Sequence, residues 1–328
     1  MTIKPIIRLG IALLSAHIVT ANADDSAAGV VHSFEQLFGV SEGKRRNHTK
    51  GFCFNATLTP SDAEIKRYSH SPLFREVSTV IGRLSHKGGN NLAPDNKYAD
   101  YGMGLSITTA SNDVHLMSMN TQDFFPVATP EAFAELMRAK TQGKEKVKAF
   151  KQKNHDLQRF KAHSAKQAKT LKPYEGSRFN SINSFYLINA QGEKTAVRWS
   201  FIPSQPQAIV MQPTANFFYQ NMQKNLTDHG VAWDMVITLA NPDDKVNNAA
   251  MKWSGPHTHI TAATLRVNAI STEANGECDT INYDPLVLSP GFEPSADPLL
   301  QARRNAYAIS FGKRIVEKQH IEKQQKQQ

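Results

Sequence analysis

The sequence predicts an α+β fold with many strand segments and fewer helices. Several segments carry the alternation or the β-branched and aromatic residues typical of strands, and Gly, Pro, Asn or Ser turns separate them. Strand signals outnumber helical ones until the last third of the chain. No internal repeat or strong linker divides the 328 residues, so we expect one large domain. The predicted strand segments are 51–58, 72–81, 101–108, 113–125, 175–203 (a hairpin), 233–239 and 261–270.

Helical signals mark the remaining segments. The best N-terminal signal is at Thr129, which can cap a helix that Pro130 opens. The stretch 144–172 then holds ten Lys and Arg against two acids. Such a run can bind nucleic acid or a membrane, but a solvated surface helix is the favoured interpretation, because few aromatic residues interrupt it. Other predicted helices are 33–38, 61–69, 216–229 and 297–314.

The N-terminus has the three parts of an export signal. Lys4 and Arg8 precede the mostly apolar stretch 9–20, and an Ala-x-Ala cleavage site follows at 21–23. The apolar stretch is too short to span a bilayer as a helix, although an uncleaved anchor is the alternative. We therefore predict a signal peptide at 1–23, a functional domain at 24–317 and a polar, flexible tail at 318–328. Periplasmic localisation follows as the simplest expectation.

Two cysteines, Cys53 and Cys278, are the only ones in the chain. Export would permit a disulfide between them, but the sequence leaves open whether they pair. Two cysteines are too few for a cysteine-ligated zinc site.

The helix at 297–314 carries the most unusual face of the chain. Asp297 can cap it, and Arg303 and Tyr307 then lie about one turn apart among apolar residues. A buried arginine needs an anion. Tyrosine, with a reference pKa of about 10, becomes one only beside a guanidinium and a metal ion. The alternative is a core tyrosine with a structural arginine.

The run from Tyr283 to Tyr307 resembles the proximal haem segment of the catalase family. The resemblance implies that Tyr307 ligates haem iron as a phenolate and that Arg303 supports it. A phenolate ligand favours ferric iron and O–O cleavage. The matching positions are Pro290, Gly291, Ser295, Asp297, Leu300, Gln301, Arg303 and Tyr307.

An earlier run resembles the distal motif of the same family. Arg45, His48 and the pair Lys50–Gly51 match it. The resemblance implies that His48 is catalytic and moves a proton between the two peroxide oxygens. It also implies that Arg45 pairs with a haem propionate.

Two further distal residues are predicted by the same resemblance. Ser78 matches the serine of an Arg-Phe-Ser-Thr strand and is expected to hydrogen-bond the distal histidine, although the family's arginine falls on Glu76. The family's Gly-Asn-Asn-Thr lies at 118–121, where its first asparagine, which orients peroxide, aligns with Met119. We predict that Asn120 takes that role; otherwise the site lacks the amide.

The resemblance covers roughly 40–315 and fits the small catalase-related peroxidase branch. It implies a closed antiparallel β-barrel with surrounding helices and haem b in the barrel core. The implied function is reduction of hydrogen peroxide or organic hydroperoxides by a small organic electron donor, with weak catalase activity. The alternatives are rearrangement of fatty-acid hydroperoxides, or a haem carrier or sensor with a decayed distal site. No nucleic-acid partner and no stable membrane insertion are expected, and oligomerisation is left open.

Overall fold

One antiparallel sheet of ten strands organises the chain in the computed structural model, which describes residues 22–327. The strands are β1 Gly51–Pro60, β2 Ser78–His86, β3 Tyr101–Thr108, β4 Val114–Asn120, β5 Phe179–Asn180, β6 Phe185–Ile188, β7 Lys194–Pro203, β8 Ala232–Leu239, β9 His259–Thr272 and β10 Phe292–Pro294. The helices are α1 Asn22–Phe38, α2 Pro130–Thr141, α3 Lys144–Lys153, α4 His155–Lys166, α5 Phe218–Asp228 and α6 Pro298–Gln325.

The sheet closes on itself. Its strands run in the order β7-β5-β4-β3-β2-β1-β9-β8, and β8 pairs back with β7 to complete a ring of eight strands. Strands β6 and β10 extend from β7 outside this ring. The predicted closed antiparallel barrel is therefore confirmed. Closure leaves few unpaired strand edges in the described chain.

The interior of the barrel is filled by its own side chains. Because successive residues of a strand point to opposite faces, every second residue of the ring enters one apolar cluster. Its fully buried members include Phe54, Leu84, Leu105, Phe201, Trp233 and Leu265. On β2 to β4 the intervening residues, among them Ser85, Gly102 and Ser118, face outward toward α1 and α6. The cavity described below opens on this outer face of the barrel wall, whereas the position of haem in the barrel core stays a prediction.

Helices α2 to α4 pack on one another through a small apolar cluster of their own, formed by residues such as Leu136, Phe150 and Leu157. The lysines of α3, which begin the basic stretch, are exposed. This arrangement is that of solvated surface helices. No helix in the described residues is long and apolar enough to cross a membrane.

Both ends of the chain differ from the predictions. Helix α1 begins at Asn22, eleven residues before the predicted helix at 33. The predicted signal peptide falls almost wholly outside the described residues. At the other end, α6 runs through the predicted flexible tail to Gln325, and Lys318 forms an ion pair with Asp279.

The segment 72–81 also differs from its predicted form. Pro72–Phe74 is a 3-10 turn capped by the Ser71 hydroxyl, which accepts a hydrogen bond from the backbone N–H of Leu73. Strand β2 begins only at Ser78 and continues to His86. A proline at a turn start and a capping serine explain the late strand start.

Cys53 and Cys278 form a disulfide with a Cα–Cα distance of 5.5 Å. The bridge joins β1 to the 3-10 turn Glu277–Thr280 across 225 residues of sequence. The carbonyl oxygen of Cys278 accepts a hydrogen bond from Arg45 Nη2 at 2.8 Å. The bridge therefore anchors a segment that holds one of the predicted site residues.

Replacing both cysteines by serine should lower the free energy of unfolding by about 2–5 kcal/mol, because the crosslink restricts a long loop of the unfolded chain. Urea unfolding of the double variant against the oxidised wild type measures the change. Wild type unfolded with a reductant is the control and should match the variant. An unchanged urea midpoint in both samples would contradict the prediction.

Candidate active site

A cavity lies between the outer face of β2 to β4 and the helices α1 and α6. Its atom-free space is about 830 Å³, open mouth included. Three predicted site residues, Arg45, His48 and Tyr307, line it, although they lie far apart in sequence. Further lining residues include Val31, Phe34, Arg83, Ser85, Gly102, Ser118, Tyr283, Ser310, Phe311 and Arg314.

The backbone of His48 is held in an uncommon conformation. Its φ is +58°, in the left-handed region that non-glycine residues seldom adopt. The side-chain oxygen of Asn47 accepts hydrogen bonds from the backbone N–H of His48 at 3.0 Å and of Gly88 at 2.9 Å. The Arg83 guanidinium donates to the His48 carbonyl at 2.8 Å. These contacts fix the loop that presents the imidazole to the cavity.

Ser85, rather than Ser78, is the serine beside the imidazole. Ser85 Oγ lies 3.1 Å from His48 Nδ1 and donates to the Gly102 carbonyl at 3.4 Å. When that bond is made, His48 Nδ1–H donates to Ser85 and Nε2 is left as an acceptor. The serine therefore orients the ring and selects its tautomer.

Ser78 occupies the opposite face of the same strand. It lies seven residues before Ser85, roughly 23 Å along β2 at the usual rise per residue. An odd separation turns its side chain into the barrel, where its Oγ has no hydrogen-bond partner among the described residues. The predicted contact of Ser78 with His48 is therefore wrong. The tripeptide Arg83-Leu84-Ser85, with the same arginine–apolar–serine order, is the signal that identifies the correct position.

Arg83 is a second cavity residue that the resemblance does not identify. It is 3% exposed and lines the cavity. The resemblance puts the family's arginine at Glu76, which lies on the surface and accepts hydrogen bonds from Ser111. Arg83, seven residues later, is the arginine that reaches the site.

Gly102 provides the surface on which the imidazole rests. A Cβ atom at this position would lie 2.6 Å from the His48 ring, closer than carbon atoms approach. Only glycine therefore allows the ring to lie against β3.

From the resemblance to catalases we expect a Gly102→Ala variant to displace His48 and to slow peroxide turnover at least tenfold, because small displacements of a catalytic group are costly. Gly29→Ala is a control for glycine replacement, since nothing lies within 4 Å of the added Cβ there and its backbone is not left-handed. Steady-state turnover by both variants, at equal haem content, measures the difference. Equal rates for Gly102→Ala and wild type would show that the ring does not need this surface.

The pKa of His48 is lowered to about 3 by burial, with further lowering by the charges of Arg83, Lys87, Arg303 and Arg45. The imidazole is therefore neutral at neutral pH and can accept a proton.

Asn120 and Met119 lie on opposite faces of β4. Asn120 pairs with Gly102 across the β3–β4 ladder, so it shares the face on which His48 rests, although it is not among the residues that line the cavity. Met119 is 2% exposed and belongs to the barrel interior. Of these two residues, only Asn120 therefore lies on the face of β4 that His48 contacts.

On α6, Tyr307 and Arg303 are in contact as their spacing predicts. Arg303 Nη2 lies 2.8 Å from Tyr307 Oη, and Arg303 Nη1 donates to Asn183 Oδ1 at 2.9 Å. Asn183 Nδ2 in turn donates to the buried Asp297 at 3.0 Å. Ile182, just before Asn183, has φ +63°, which is rare for a β-branched residue. This strained turn and the helix cap together hold Arg303 against the phenol.

The comparisons with known proteins agree with this geometry. The family model described as catalase matches residues 40–321. The chain belongs to the catalase family. It is 36% identical to a catalase-related peroxidase of Synechococcus elongatus, over 93% of this chain and 95% of that protein. A catalase-related peroxidase of Mycolicibacterium paratuberculosis is 23% identical, over 83% and 89% of the two chains. These matches place the chain in the small catalase-related branch.

Solved catalase structures share the fold of this catalase-family chain. A bacterial catalase superposes with a TM-score of 0.71 at 19% identity, over 83% of this chain and 57% of the other. Catalase A of Saccharomyces cerevisiae gives 0.71 at 16% identity, over 95% and 68%. At these identities the similarity concerns the fold, and this chain spans little more than half of the bacterial enzyme.

The cavity fits the haem that catalase-family membership implies. Three arginines at one end, Arg45, Arg83 and Arg314, form an arginine cluster in which no side chain is more than 13% exposed. Arg314 Nε is buried without a hydrogen-bond partner among the described residues. Burial, together with Arg83 and Arg314, holds the pKa of Arg45 well below its usual value. Anionic groups such as propionates would relieve this excess of positive charge.

Two carboxylates only partly neutralise the arginine cluster. Glu273 Oε1 lies 2.6 Å from Arg45 Nη1 and 2.7 Å from Arg83 Nε. Asp279 lies 3.0 Å from Arg314. Burial alone would raise the pKa of Glu273, but the charges of Arg83 and Arg45 lower it to about 2.

This shift predicts acid sensitivity of the fold. Because the pKa of Glu273 is near 2 in the folded protein and near 4.5 when unfolded, its stabilisation is complete above pH 4.5. It is lost as the pH falls toward 2, by about 3 kcal/mol in all. Urea unfolding at several pH values measures the slope. Glu273→Gln should flatten it in this window, whereas an unchanged slope would contradict the assignment.

Proposed function

We propose that this catalase-family protein is a haem b peroxidase, exported to the periplasm, that reduces hydrogen peroxide or organic hydroperoxides with electrons from a small organic donor. One observation carries the proposal: His48, set by Ser85, and Tyr307, set by Arg303, line the same cavity. The relatives named catalase-related peroxidase, which match nearly the full length of this chain, support the activity.

Bound haem would supply the iron at which peroxide is cleaved, with Tyr307 as its ligand. The residues of the chain supply the rest. His48 Nε2 accepts a proton from one peroxide oxygen and returns it to the other, which leaves as water from hydrogen peroxide or as an alcohol from an organic hydroperoxide. Ser85 keeps the ring in the tautomer that permits this. Arg303 would stabilise the negative charge on the Tyr307 oxygen, and the arginine cluster would bind the propionates of haem.

The features that suggested a decayed distal site no longer support a haem carrier. Glu76 lies on the surface, and the arginine that it appeared to replace is present as Arg83 in the cavity wall. Met119 lies in the barrel interior, while Asn120 remains on the face of His48. The distal histidine, its serine and its glycine surface are all in place. We therefore favour an enzyme over a carrier or sensor.

Export is part of the proposal and rests on two observations. The N-terminal sequence has the charge, apolar run and cleavage site of a signal peptide. The Cys53–Cys278 disulfide suits an oxidising compartment.

The function is tested by loading the purified protein with haem and adding peroxide with and without a phenolic donor. We expect a Soret band, a peroxide-dependent change in that band, and donor oxidation faster than oxygen release. Turnover of a fatty-acid hydroperoxide in the same assay separates reduction to an alcohol from rearrangement. A protein that binds haem but leaves both peroxides unchanged would refute the enzymatic proposal.

A further inference from the structure

The Tyr307 oxygen has a second hydrogen-bond partner that the sequence motif does not indicate. Ser118 Oγ, on β4, lies 2.5 Å from Tyr307 Oη, and Arg303 Nη2 approaches the same oxygen at 2.8 Å. The carbonyl oxygen of Ser118 also accepts a hydrogen bond from Arg303 Nη2 at 3.0 Å. One residue of the barrel wall thus contacts both members of the arginine–tyrosine pair.

We propose that Ser118 is a positioning residue that donates a hydrogen bond to the iron-bound Tyr307 oxygen and thereby limits the electron donation of this ligand to iron. The inference rests on the proposed function, because it takes Tyr307 as the iron ligand. It extends that function by assigning control of the redox potential to a residue outside the helix that carries the ligand.

The chemistry of the ligand settles the direction of this hydrogen bond. A tyrosine oxygen bound to iron has lost its proton and can only accept, whereas a serine hydroxyl can donate. Arg303 also can only donate, and its Nη1 is held by Asn183. The oxygen therefore receives two hydrogen bonds from groups fixed by different parts of the fold.

Strand alternation explains why a hydroxyl reaches this position. Ser118 faces outward, while its neighbours Met117 and Met119 are buried in the barrel interior. Its partner on β3 is Gly104, whose missing side chain leaves room that the Tyr283 ring occupies. A shift of β4 by one residue would put a methionine against the phenol.

The expected effect follows from the charge on the oxygen. Each hydrogen bond withdraws electron density from a phenolate, so the iron receives less, and hydrogen bonds to ligands are among the features that tune haem centres. Ser118 should therefore weaken the iron–oxygen bond and raise the Fe(III)/Fe(II) midpoint potential relative to a site in which Arg303 acts alone.

The experiment compares Ser118→Ala, Ser118→Thr and Ser310→Ala in the full-length, haem-loaded protein. Ser118→Ala should lower the midpoint potential and raise the iron–phenolate stretching frequency in resonance Raman spectra. Ser118→Thr keeps the hydroxyl and should restore both toward wild type. Ser310 is the matched control, because it lines the same cavity but its hydroxyl accepts from Arg46 N–H. Its variant should leave both values unchanged.

Two results would overturn the proposal. The first is an unchanged potential and stretching frequency in Ser118→Ala. The second is an equal shift in Ser118→Ala and Ser118→Thr, which would indicate a packing role. Tyr307→Phe separates these failures from failure of the proposed function. If that variant keeps an iron–phenolate vibration, Tyr307 is not the ligand, and the site assigned under the proposed function is wrong whatever Ser118 does.

Discussion

Replacing Tyr307 by phenylalanine is expected to remove the iron–phenolate vibration and to weaken haem binding by at least about 100-fold. Loss of a group that only hydrogen-bonds a metal ligand costs up to about 100-fold in affinity, and here the proposed ligand itself is removed. The variant keeps the aromatic ring, so the packing of α6 should survive. Haem titration followed by absorbance, with transfer of haem to an acceptor protein, measures the effect.

Tyr283→Phe is the matched control for this experiment. Tyr283 lines the same cavity, but its hydroxyl donates to the Ile81 carbonyl at 3.4 Å. It makes no hydrogen bond with Arg303, whose partners are Asn183, Ser118 and Tyr307. Its removal should leave haem affinity within a few-fold of wild type. If Tyr307→Phe retained haem as well as Tyr283→Phe does, another residue would have to be the iron ligand.

A His48→Ala variant is expected to bind haem normally but to react with peroxide about 10²- to 10⁴-fold more slowly, the usual contribution of a positioned general acid–base group. The loss should be similar from pH 5 to 8. The low pKa of His48 keeps its imidazole neutral across that range, so the wild-type rate does not fall through protonation of this group. Stopped-flow mixing with hydrogen peroxide at fixed haem content measures both results.

Two serine variants test whether the reaction of His48 with peroxide depends on its hydrogen bond to Ser85. Ser85→Ala should slow the reaction with peroxide by roughly 10- to 100-fold, because the ring loses the group that orients it. Ser78→Ala should not, because this serine faces the barrel interior. Unaltered reactivity of His48→Ala would favour a haem carrier, and equal effects of the two serine variants would contradict the assignment of Ser85.

The proximal half of the site was predictable because it is local. Arg303 and Tyr307 are four residues apart on a helix, and helical geometry alone brings such side chains together. Asp297 could likewise be identified as the cap of that helix, since its side chain accepts from the backbone two residues later. No distant part of the chain is needed for either contact.

The distal half was predictable only in part because strands depend on register. The strand predicted at 72–81 begins only at Ser78, and the Ser-Thr pair at 78–79 resembles the family motif although Ser85 is the serine that contacts His48. An odd shift along a strand moves a side chain to the other face. The ambiguity between Met119 and Asn120 has the same origin, and only the pairing of β3 with β4 resolves it.

The sequence by itself determined the strand-rich α+β class and the arginine–tyrosine pair, since these depend on short periodic patterns. The closed barrel and the choice of His48 followed from the resemblance to catalases. Only the tertiary structure decided that Cys53 pairs with Cys278, that Ser85 and Arg83 reach the cavity, that Ser118 contacts the phenol, and that the cavity lies against the barrel wall. Some of these contacts join residues that are distant in the chain. The others depend on which face of a strand a residue occupies. Their selection requires closure of the sheet and burial of one face, which no local pattern contains.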